Sequence, residues 1–450
     1  MVEITESMSL CKSENNTKKP SKRKSVTFKM ELEIKRMQST GLQQSVLDSK
    51  PSRILSFPLT VKQQLWLNFL LPAVIQITFY LFGIATDLTI GIVLLMEKHT
   101  WAGVITIGLT YVAPLICFFM HFMNPPAENK CSKLALWILA ETLALILYPI
   151  RPVQSFAERF FWAVEALRNP DPKREEALVE YEKAETFIVE NYLFIQGLVH
   201  AGPQAIFQLT LLVFGTSNNA STKLFQAFGV IVSLLSLSLI TTSYQRYETQ
   251  AKGSRKRVWY KSEDSVENEE PRELLYVPPN EEVLPRRRSW TKVMEEDNSL
   301  GKLVAFIFWF FFLLGRIVCL VMASLFFPWA VLGVCIAHYI FMFFFILPLT
   351  NCKTNVVTKI LLSFVYIFCL IEVGIRFRKS QLFHNLFITF CIVENFSLSL
   401  LWALWGNWNN NWWYDYALYF MGITHFIALL FLFIYIKFFR PTIRRIQPNM

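Results

Sequence analysis

The stretch LVAFIFWFFFLLGRIVCLVMASLFF, residues 303–327, contains 25 residues and a single charged side chain, Arg316. A helix rises about 1.5 Å per residue, so this stretch is long enough to cross the roughly 30 Å hydrocarbon layer of a bilayer. Its length and apolarity therefore predict a transmembrane helix. Nine other apolar stretches follow the same pattern, at residues 69–96, 101–123, 132–149, 186–215, 222–243, 329–349, 357–374, 383–405 and 415–438. Together they predict an all-α polytopic membrane protein.

The composition agrees with this fold class. Of the 450 residues, 53% are apolar and only 17% are charged, against about 25% charged residues in an ordinary soluble domain. This excludes a disordered chain, a collagen-like fibre and a small disulfide scaffold, and it argues against a single soluble globule. The net charge is +10, but the basic residues flank the apolar stretches. That placement indicates membrane topology and anionic lipid headgroups, so we expect no nucleic-acid partner.

Motifs of soluble-enzyme chemistry are absent from the sequence. It contains no phosphate loop, no G-x-G-x-x-G, no H-E-x-x-H and no G-x-S-x-G. The eight cysteines form no C-x-x-C pair, and the six histidines are scattered along the chain. We therefore predict that the protein is not an enzyme and has no catalytic residues, metal site, cofactor or functional disulfide. Any transport would be downhill or driven by an ion.

Charge distribution predicts the orientation of the segments, because cytosolic loops are enriched in Lys and Arg. The linkers 97–100, 216–223 and 406–414 are nearly free of charge and are predicted to lie outside. Both termini are predicted to be cytosolic. The predicted units are a basic disordered tail (1–64), a first membrane repeat with a cytosolic loop at 150–185 (65–245), a charged cytosolic loop (246–302), a second membrane repeat (303–438) and a C-terminal tail (439–450).

Two of the apolar stretches, 132–149 and 357–374, are the shortest, and each contains a Glu. The charge pattern of the flanking loops is consistent only if neither of them crosses the membrane. Each half of the chain then has two spans, a re-entrant helix and two more spans. The sequence thus predicts about eight transmembrane helices plus two re-entrant helices in two parallel repeats, an arrangement found in transport proteins.

Ionisable side chains within apolar stretches are expensive to bury, so each is a candidate functional residue. We single out five of them, Asp87, Glu141, Arg316, Glu372 and Glu394. Two interpretations remain open. The groups could line a polar pathway, or they could form buried ion pairs and hydrogen-bonded struts between helices.

A polar stripe runs along the stretch 186–215. Residues four apart share one face of a helix, and this spacing joins Gln196, His200, Gln204 and Gln208. The pair Gly202-Pro203 is predicted to kink the helix, since proline removes a backbone hydrogen bond. The stripe could be hydrogen-bonding contacts between helices or a hydrophilic cleft for lipid headgroups or ions.

Several short motifs, in this order and spacing, resemble those of the XK-related family of membrane proteins. The segment AGPQAIFQL at 201–209 is similar to the family's alanine-proline-glutamine segment. The resemblance covers about residues 65–440. The other motifs that carry it are Thr86-Asp87-Leu88, Ser236-Leu237-Ser238-Leu239, Tyr244-Gln245-Arg246, Glu372-Val373-Gly374 and Glu394-Asn395.

The resemblance implies ATP-independent phospholipid scrambling at the plasma membrane, including phosphatidylserine exposure during apoptosis. It adds Arg246 to the residues of the lipid pathway. It also implies phospholipids as ligands, and a single-span partner subunit or a bridge-like lipid-transfer protein as a partner. The chain departs from scramblase members at four positions where they carry acids, namely Gly83, Gln196, His200 and Ser243.

Three functions are compatible with the sequence. The first is a scramblase, in which lipid headgroups follow the polar stripe with help from Asp87 and Glu141. The second is an adaptor that anchors a lipid-transfer protein through loop 150–185 or 244–302, and the third is an ion or solute transporter. Some family members are activated by caspases, for which Asp48 and Asp297 are the candidate sites and Asp48 the favoured one. Asn219 is a predicted glycosylation site, whereas the sequon at Asn15 is predicted to stay bare.

Overall fold

The computed structural model describes residues 53–54, 57–58, 61–122, 131–147, 151–170, 173–184, 194–246, 291–294, 299–348, 356–373, 377, 380–406, 413–440 and 443–446. Within them, the chain has the all-α polytopic membrane fold that the apolar stretches predict. Asn15, Asp48 and Asp297 lie outside the described residues. The predicted tail 1–64 is described only at its end, where a helix begins at Val61 and a two-stranded ribbon pairs β1 (Arg53–Ile54) with β2 (Phe57–Pro58).

The first half of the chain contains eight α-helices among the described residues. A π-helical turn, Trp66–Leu70, joins the first two, and a second one, Gln196–His200, directly precedes the seventh. The helices are α1 (Val61–Leu65), α2 (Leu71–Met96), α3 (Thr100–Phe122), α4 (Cys131–Leu147), α5 (Arg151–Arg168), α6 (Lys173–Lys183), α7 (Ala201–Val213) and α8 (Ala220–Tyr244).

The second half has two long helices, one short helix and two long helices, an order that the first half also follows apart from α1, α5 and α6. Its described helices are α9 (Ser299–Phe326), α10 (Pro328–Ile346), α11 (Val356–Val365), α12 (Ser380–Trp405) and α13 (Trp413–Ile434), which continues as the π-helical turn Tyr435–Phe439. Helix α9 is the centre of the bundle, because it packs against α8, α10, α12 and α13. Its apolar side chains Trp309, Phe312 and Ile317 are fully buried.

Seven of the described helices, α2, α3, α8, α9, α10, α12 and α13, are long and apolar enough to cross a membrane. The remaining predicted span, 186–215, is divided by the change from π- to α-helical geometry. Residues 194–213 are nevertheless helical without interruption, a length of about 30 Å. With this segment, the described residues contain eight helical segments that are long enough to cross a membrane.

Helix α11 does not cross the bilayer. It has ten residues, a length of about 15 Å, and the chain beyond it turns back. At the tip, the carbonyl of Ile367 accepts a hydrogen bond from Arg316, halfway along α9. The backbone N–H of Glu372 then donates to the carbonyl of Tyr244 at the end of α8 (3.0 Å). The segment thus enters and leaves on the same side of the membrane, which makes it re-entrant.

Within the predicted loop 150–185, α5 and α6 form a helical hairpin, and α5 packs on the start of α2. This part of the loop is therefore folded. Helix α4, the other predicted re-entrant segment, has 17 residues and packs along α3. A two-stranded antiparallel ribbon pairs β3 (Thr291–Met294), just before α9, with β4 (Ile443–Ile446), after α13. The start of α9 and the end of α13 therefore lie on the same side of the bilayer.

Candidate functional site

The polar stripe of α7 meets the aspartate of the first span. Nε2 of His200 lies 3.2 Å from Oδ2 of Asp87, and Nε2 of Gln204 donates a hydrogen bond to Oδ1 of the same carboxylate (3.0 Å). All three residues are at most 4% exposed. The structure thus brings together three residues that the sequence placed in the pathway, and it uses them to join α7 to α2. We call them the Asp87 cluster.

Further along the stripe, Nε2 of Gln208 donates to Oγ1 of Thr106 on α3 (2.9 Å), and both residues are completely buried. Thr106 is a partner that the sequence analysis did not identify. Gln196, at the start of the stripe, is half-buried. In this structure the stripe is therefore a set of contacts between helices, and the expected lipid-accessible cleft is closed along Gln204 and Gln208.

The predicted interruption at Gly202-Pro203 takes the form of a wider helical turn immediately before the pair. The backbone N–H of Ala201 bonds to the carbonyl of Gln196, five residues earlier. Proline has no N–H to continue the α-helical ladder, so the ladder is interrupted close to the point where the wider turn ends. A Cβ on Gly202 would lie 3.2–3.3 Å from the ring of Phe368, so the glycine lets the re-entrant tip approach α7.

A second buried cluster forms around Arg316 in the middle of α9. Its guanidinium donates to Oδ1 of Asn395 (2.9 Å), to Oε2 of Glu394 (2.9 Å) and to the carbonyl of Ile367. Arg316 is 1% exposed, whereas the side chain of Glu394 remains 12% exposed. Because charged groups in a low-dielectric interior need partners, this pairing accounts for a buried arginine in an apolar span. We call these residues with His338 and His425 the Arg316 cluster.

Two histidines complete the Arg316 cluster. Nδ1 of His338 lies 2.8 and 2.9 Å from the two carboxylate oxygens of Glu394, so this nitrogen carries the proton. Nδ2 of Asn395 lies 2.9 Å from Nε2 of His425, whose Nδ1 is 2.8 Å from the carbonyl of Met421. The amide donates to Nε2, and Nδ1 of His425 is therefore the protonated nitrogen. The sequence had shown these histidines only as scattered residues.

The motif Tyr244-Gln245-Arg246 connects the two halves of the chain. Nε1 of Trp309 on α9 donates to Oε1 of Gln245 (2.7 Å), and the guanidinium of Arg246 lies 4.9 Å from the ring centre of Tyr435. Glu372, also buried, is bonded through its backbone N–H to Tyr244. Arg246 and Glu372 thus lie at this joint, apart from the Arg316 cluster.

A groove between α10 and α12 reaches the Arg316 cluster from the lipid-facing side of the bundle. Its volume is about 530 Å³. Its walls are mostly apolar, while Glu394 and His338 supply polar atoms. The lining residues are Ala330, Val334, Ala337, His338, Phe341, Phe390, Val393, Glu394, Ser397, Leu398 and Leu401. Glu394 is therefore a membrane-embedded acid with contact to an open cavity.

A family model described as XK-related protein matches residues 71–262 and 287–441. The chain belongs to the XK-related family. A comparison with curated proteins found no match. The matched ranges of this XK-related protein include the Asp87 cluster, the Arg316 cluster and the groove.

The structure gives little support to a cation at the Arg316 cluster. Ligand atoms of His338, Cys391 and Glu394 lie within 4.8 Å of one another, a set that could hold a metal ion by chemistry alone. Arg316, however, already donates to the carboxylate, and its positive charge would repel a second cation at this distance. The geometry instead fits an internally neutral ion pair.

Two other residues that the sequence predicted to be functional in this XK-related protein lie outside both clusters and the groove. Glu141 is half-buried on α4. Asn219, the predicted glycosylation site, is exposed at the start of α8, where its Oδ1 accepts a hydrogen bond from the N–H of Ser221 (3.0 Å). This is the N-cap role that asparagine commonly has.

The loop after α2 contains an acid that the sequence analysis passed over. Glu97 accepts a hydrogen bond from Oγ1 of Thr222 (2.6 Å). Hydrogen bonds from Ser217 and Thr222 hold the pKa of the Glu97 carboxyl below its ordinary value of 4.5, because they favour the charged form. The contact fastens the α2–α3 turn to the α7–α8 turn at the far end of the bundle from β3 and β4.

Proposed function

We propose that this XK-related protein moves phospholipids between the two leaflets without nucleotide hydrolysis, and that headgroups pass through the groove between α10 and α12. The observation that carries the proposal is the contact of the Glu394 carboxylate with a cavity inside the membrane-spanning bundle. A headgroup that crosses bare hydrocarbon loses its hydrogen bonds to water, at a cost of several kcal/mol. Fixed polar atoms halfway across replace some of these bonds, while the acyl chains remain in the bilayer.

The groove is a better route in this structure than the stripe on α7. The side chains of Gln204 and Gln208 are completely buried and bonded to α2 and α3. A headgroup could reach them only if α7 separated from both helices. The Glu394 side chain, in contrast, is accessible without any helix movement. We therefore assign the Asp87 cluster to holding the first half of the bundle together.

Polar atoms at the groove suit the hydrogen-bonding groups of a phospholipid headgroup. Glu394 presents a carboxylate, and Arg316 lies behind it at 2.9 Å. Because this pair is neutral as a unit, it offers a headgroup hydrogen-bonding atoms in place of water and does not select headgroups by net charge. Phosphatidylserine exposure in dying cells at the plasma membrane, the activity that the family resemblance implies, belongs to this proposal, with Asp48 or Asp297 as the site of caspase activation.

An adaptor role is the second candidate, and a specific observation favours it. The α5–α6 hairpin and the β3–β4 ribbon give folded structure outside the spans. Such surfaces are suited to binding a single-span partner subunit or a lipid-transfer protein. Under this alternative the groove would not conduct lipid.

Reconstitution into vesicles distinguishes the two functions. Vesicles contain a trace of phospholipid with a fluorophore on an acyl chain, which leaves the headgroup intact, and an external reductant bleaches the outer leaflet. Protein-free vesicles should lose about half of their fluorescence. The scramblase proposal expects a clearly greater loss with the folded protein. A loss equal to that of protein-free vesicles would reject scrambling and favour the adaptor.

A further inference from the structure

Helix α5 has an exposed apolar edge in addition to the face that it buries. Phe156, Ala163 and Ala166 are buried against the rest of the protein. Phe160 and Phe161, in contrast, are 42% and 58% exposed. Exposed aromatic neighbours on a helix that is already packed on one side are typical of a surface that contacts lipid or another protein.

The contacts of α5 place this edge at the level of the membrane. The ring centres of Phe156 and Tyr80 on α2 are 5.5 Å apart, and Nη1 of Arg159 donates to Oε1 of Gln76 (3.1 Å). Gln76 and Tyr80 lie about 8 and 14 Å along the helix from Leu71, where α2 begins. Counted back from Met96, where α2 ends, a 30 Å hydrocarbon layer covers about 20 helical residues, so it begins near Gln76.

The lipid-facing surface of α2 at the same level supports this depth. Val74, Leu81 and Phe82 are 37%, 46% and 52% exposed there. These apolar side chains would contact water if that level lay outside the bilayer.

The angular order of the side chains on α5 matches an interfacial helix. With about 100° per residue, Phe160 lies about 160° from Glu158, and Phe161 lies about 60° from Glu158, at the border of the apolar edge. The buried face, the apolar edge and a polar edge with Gln154 and Glu158 follow one another around the axis. A helix with this pattern fits protein on one side, lipid on the second and water on the third.

We propose that α5 is an interfacial helix whose Phe160–Phe161 edge is inserted in the leaflet on the side where the first span begins. The α5–α6 hairpin is then a membrane-bound part of the protein on that side. The inserted edge is closed to a protein partner, and such a partner has access only to the polar edge and α6. This inference does not depend on the scramblase proposal, because the insertion would exist in either function.

Site-specific fluorescence tests the insertion. Cys11, Cys131 and Cys352 are replaced by serine, and an environment-sensitive dye is attached at Phe160→Cys, Phe161→Cys or Glu158→Cys in lipid nanodiscs. We expect dyes at 160 and 161 to emit at shorter wavelength than the dye at 158, with stronger quenching by nitroxide lipids and weaker quenching by iodide. Equal iodide quenching at all three sites would overturn the proposal and leave this edge for a protein partner.

A second measurement leaves α5 unchanged, in case the cysteine variants fold poorly. The wild-type protein in vesicles is irradiated with a phospholipid that carries a photoreactive group near the glycerol, and adducts are mapped by mass spectrometry. We expect adducts on Phe160 or Phe161 and none on the exposed α6 residues Lys173 and Glu176. Adducts on α2 at Leu81 or Phe82 without any on α5 would contradict the insertion.

Discussion

At the scale of single residues, the Arg316–Glu394 pair shows how a charge is held within an apolar span. The two side chains lie 2.9 Å apart, and Asn395 and Ile367 accept two further hydrogen bonds from the guanidinium. The pair is neutral as a unit, but either member alone would be an uncompensated charge. Removing one partner of a buried pair of this kind typically destabilises a protein by about 3–5 kcal/mol.

We expect Arg316→Met and Glu394→Gln each to lower the melting temperature in detergent strongly. The melting temperature of the double variant should fall by less than the sum of the two single decreases, because no unpaired charge remains when both charges are removed. Heating followed by size-exclusion chromatography measures the melting temperatures. Additive losses in the double variant would show that the two residues do not act as a pair.

The Glu97 carboxyl gives a residue-scale prediction for acid pH. Its pKa is lowered in the folded protein by the Ser217 and Thr222 hydrogen bonds. The contribution of Glu97 to stability is therefore present above the ordinary value of 4.5 and is lost as the pH falls through the folded pKa. We expect Glu97→Gln to destabilise the protein at pH 7 and to have a smaller effect at low pH. A melting-temperature difference that stays constant with pH would contradict this role.

Some site residues could be predicted from the sequence, and others could not. Asp87 and the α7 stripe were identified because isolated polar groups are conspicuous in apolar stretches, but their mutual contact depends on which helices pack together. Thr106, His338 and His425 were missed for the same reason, since each is unremarkable within its own span. Gly315 gave no signal either, although a Cβ there would lie 2.6 Å from Cε1 of His425.

At the scale of helices, α2 and α3 approach closely through glycines. A Cβ on Gly103 would lie 2.8 Å from the backbone oxygen of Gly91 and 2.7 Å from Cγ of Leu95. We expect Gly103→Ala to destabilise the protein by about 1–3 kcal/mol through overpacking. Gly108 on the same helix has nothing within 4 Å of the corresponding position.

Gly108→Ala is therefore the matched control, with an expected gain of up to about 1 kcal/mol from helix propensity. Thermal or denaturant unfolding of the two variants in the same detergent tests the contrast. Equal effects of the two substitutions would mean that α2 and α3 are not in close contact at Gly103.

Charge patterns predicted the re-entrant helix α11, whereas the folded hairpin α5–α6 was not predicted. Loop charges constrain how many times the chain crosses the bilayer, so they identified 357–374 as a stretch that cannot cross. The stretch 150–185 was interpreted only as too charged for lipid. Its apolar residues lie partly on the buried face and partly on the exposed edge of α5, so they form no single apolar stripe in the sequence. Pro203 indicated a disturbed helix, but the five-residue turn before it follows from local backbone geometry that proline alone does not specify.

At the scale of the whole molecule, the two halves meet at the end of α8, where contacts to Trp309, Glu372 and Tyr435 converge. The order of spans around this joint places Asn219 and β4 on opposite sides of the bilayer. We expect Asn219 to be glycosylated in a eukaryotic host and Asn15 to be bare. Glycosidase treatment should shift the wild-type protein on a gel but leave Asn219→Gln unchanged. A glycan on Asn15 would reverse the topology.

The most direct test of the account is lipid scrambling by the reconstituted protein with its groove filled. Ala337 lines the groove from α10, whereas Leu332 on the same helix is exposed to lipid outside it. Both can be replaced by tryptophan while every residue of the Arg316 cluster is kept. If headgroups pass between α10 and α12, wild-type protein and Leu332→Trp bleach well beyond half of the acyl-labelled phosphatidylserine, and Ala337→Trp does not. Equal bleaching by the two folded variants would contradict the account.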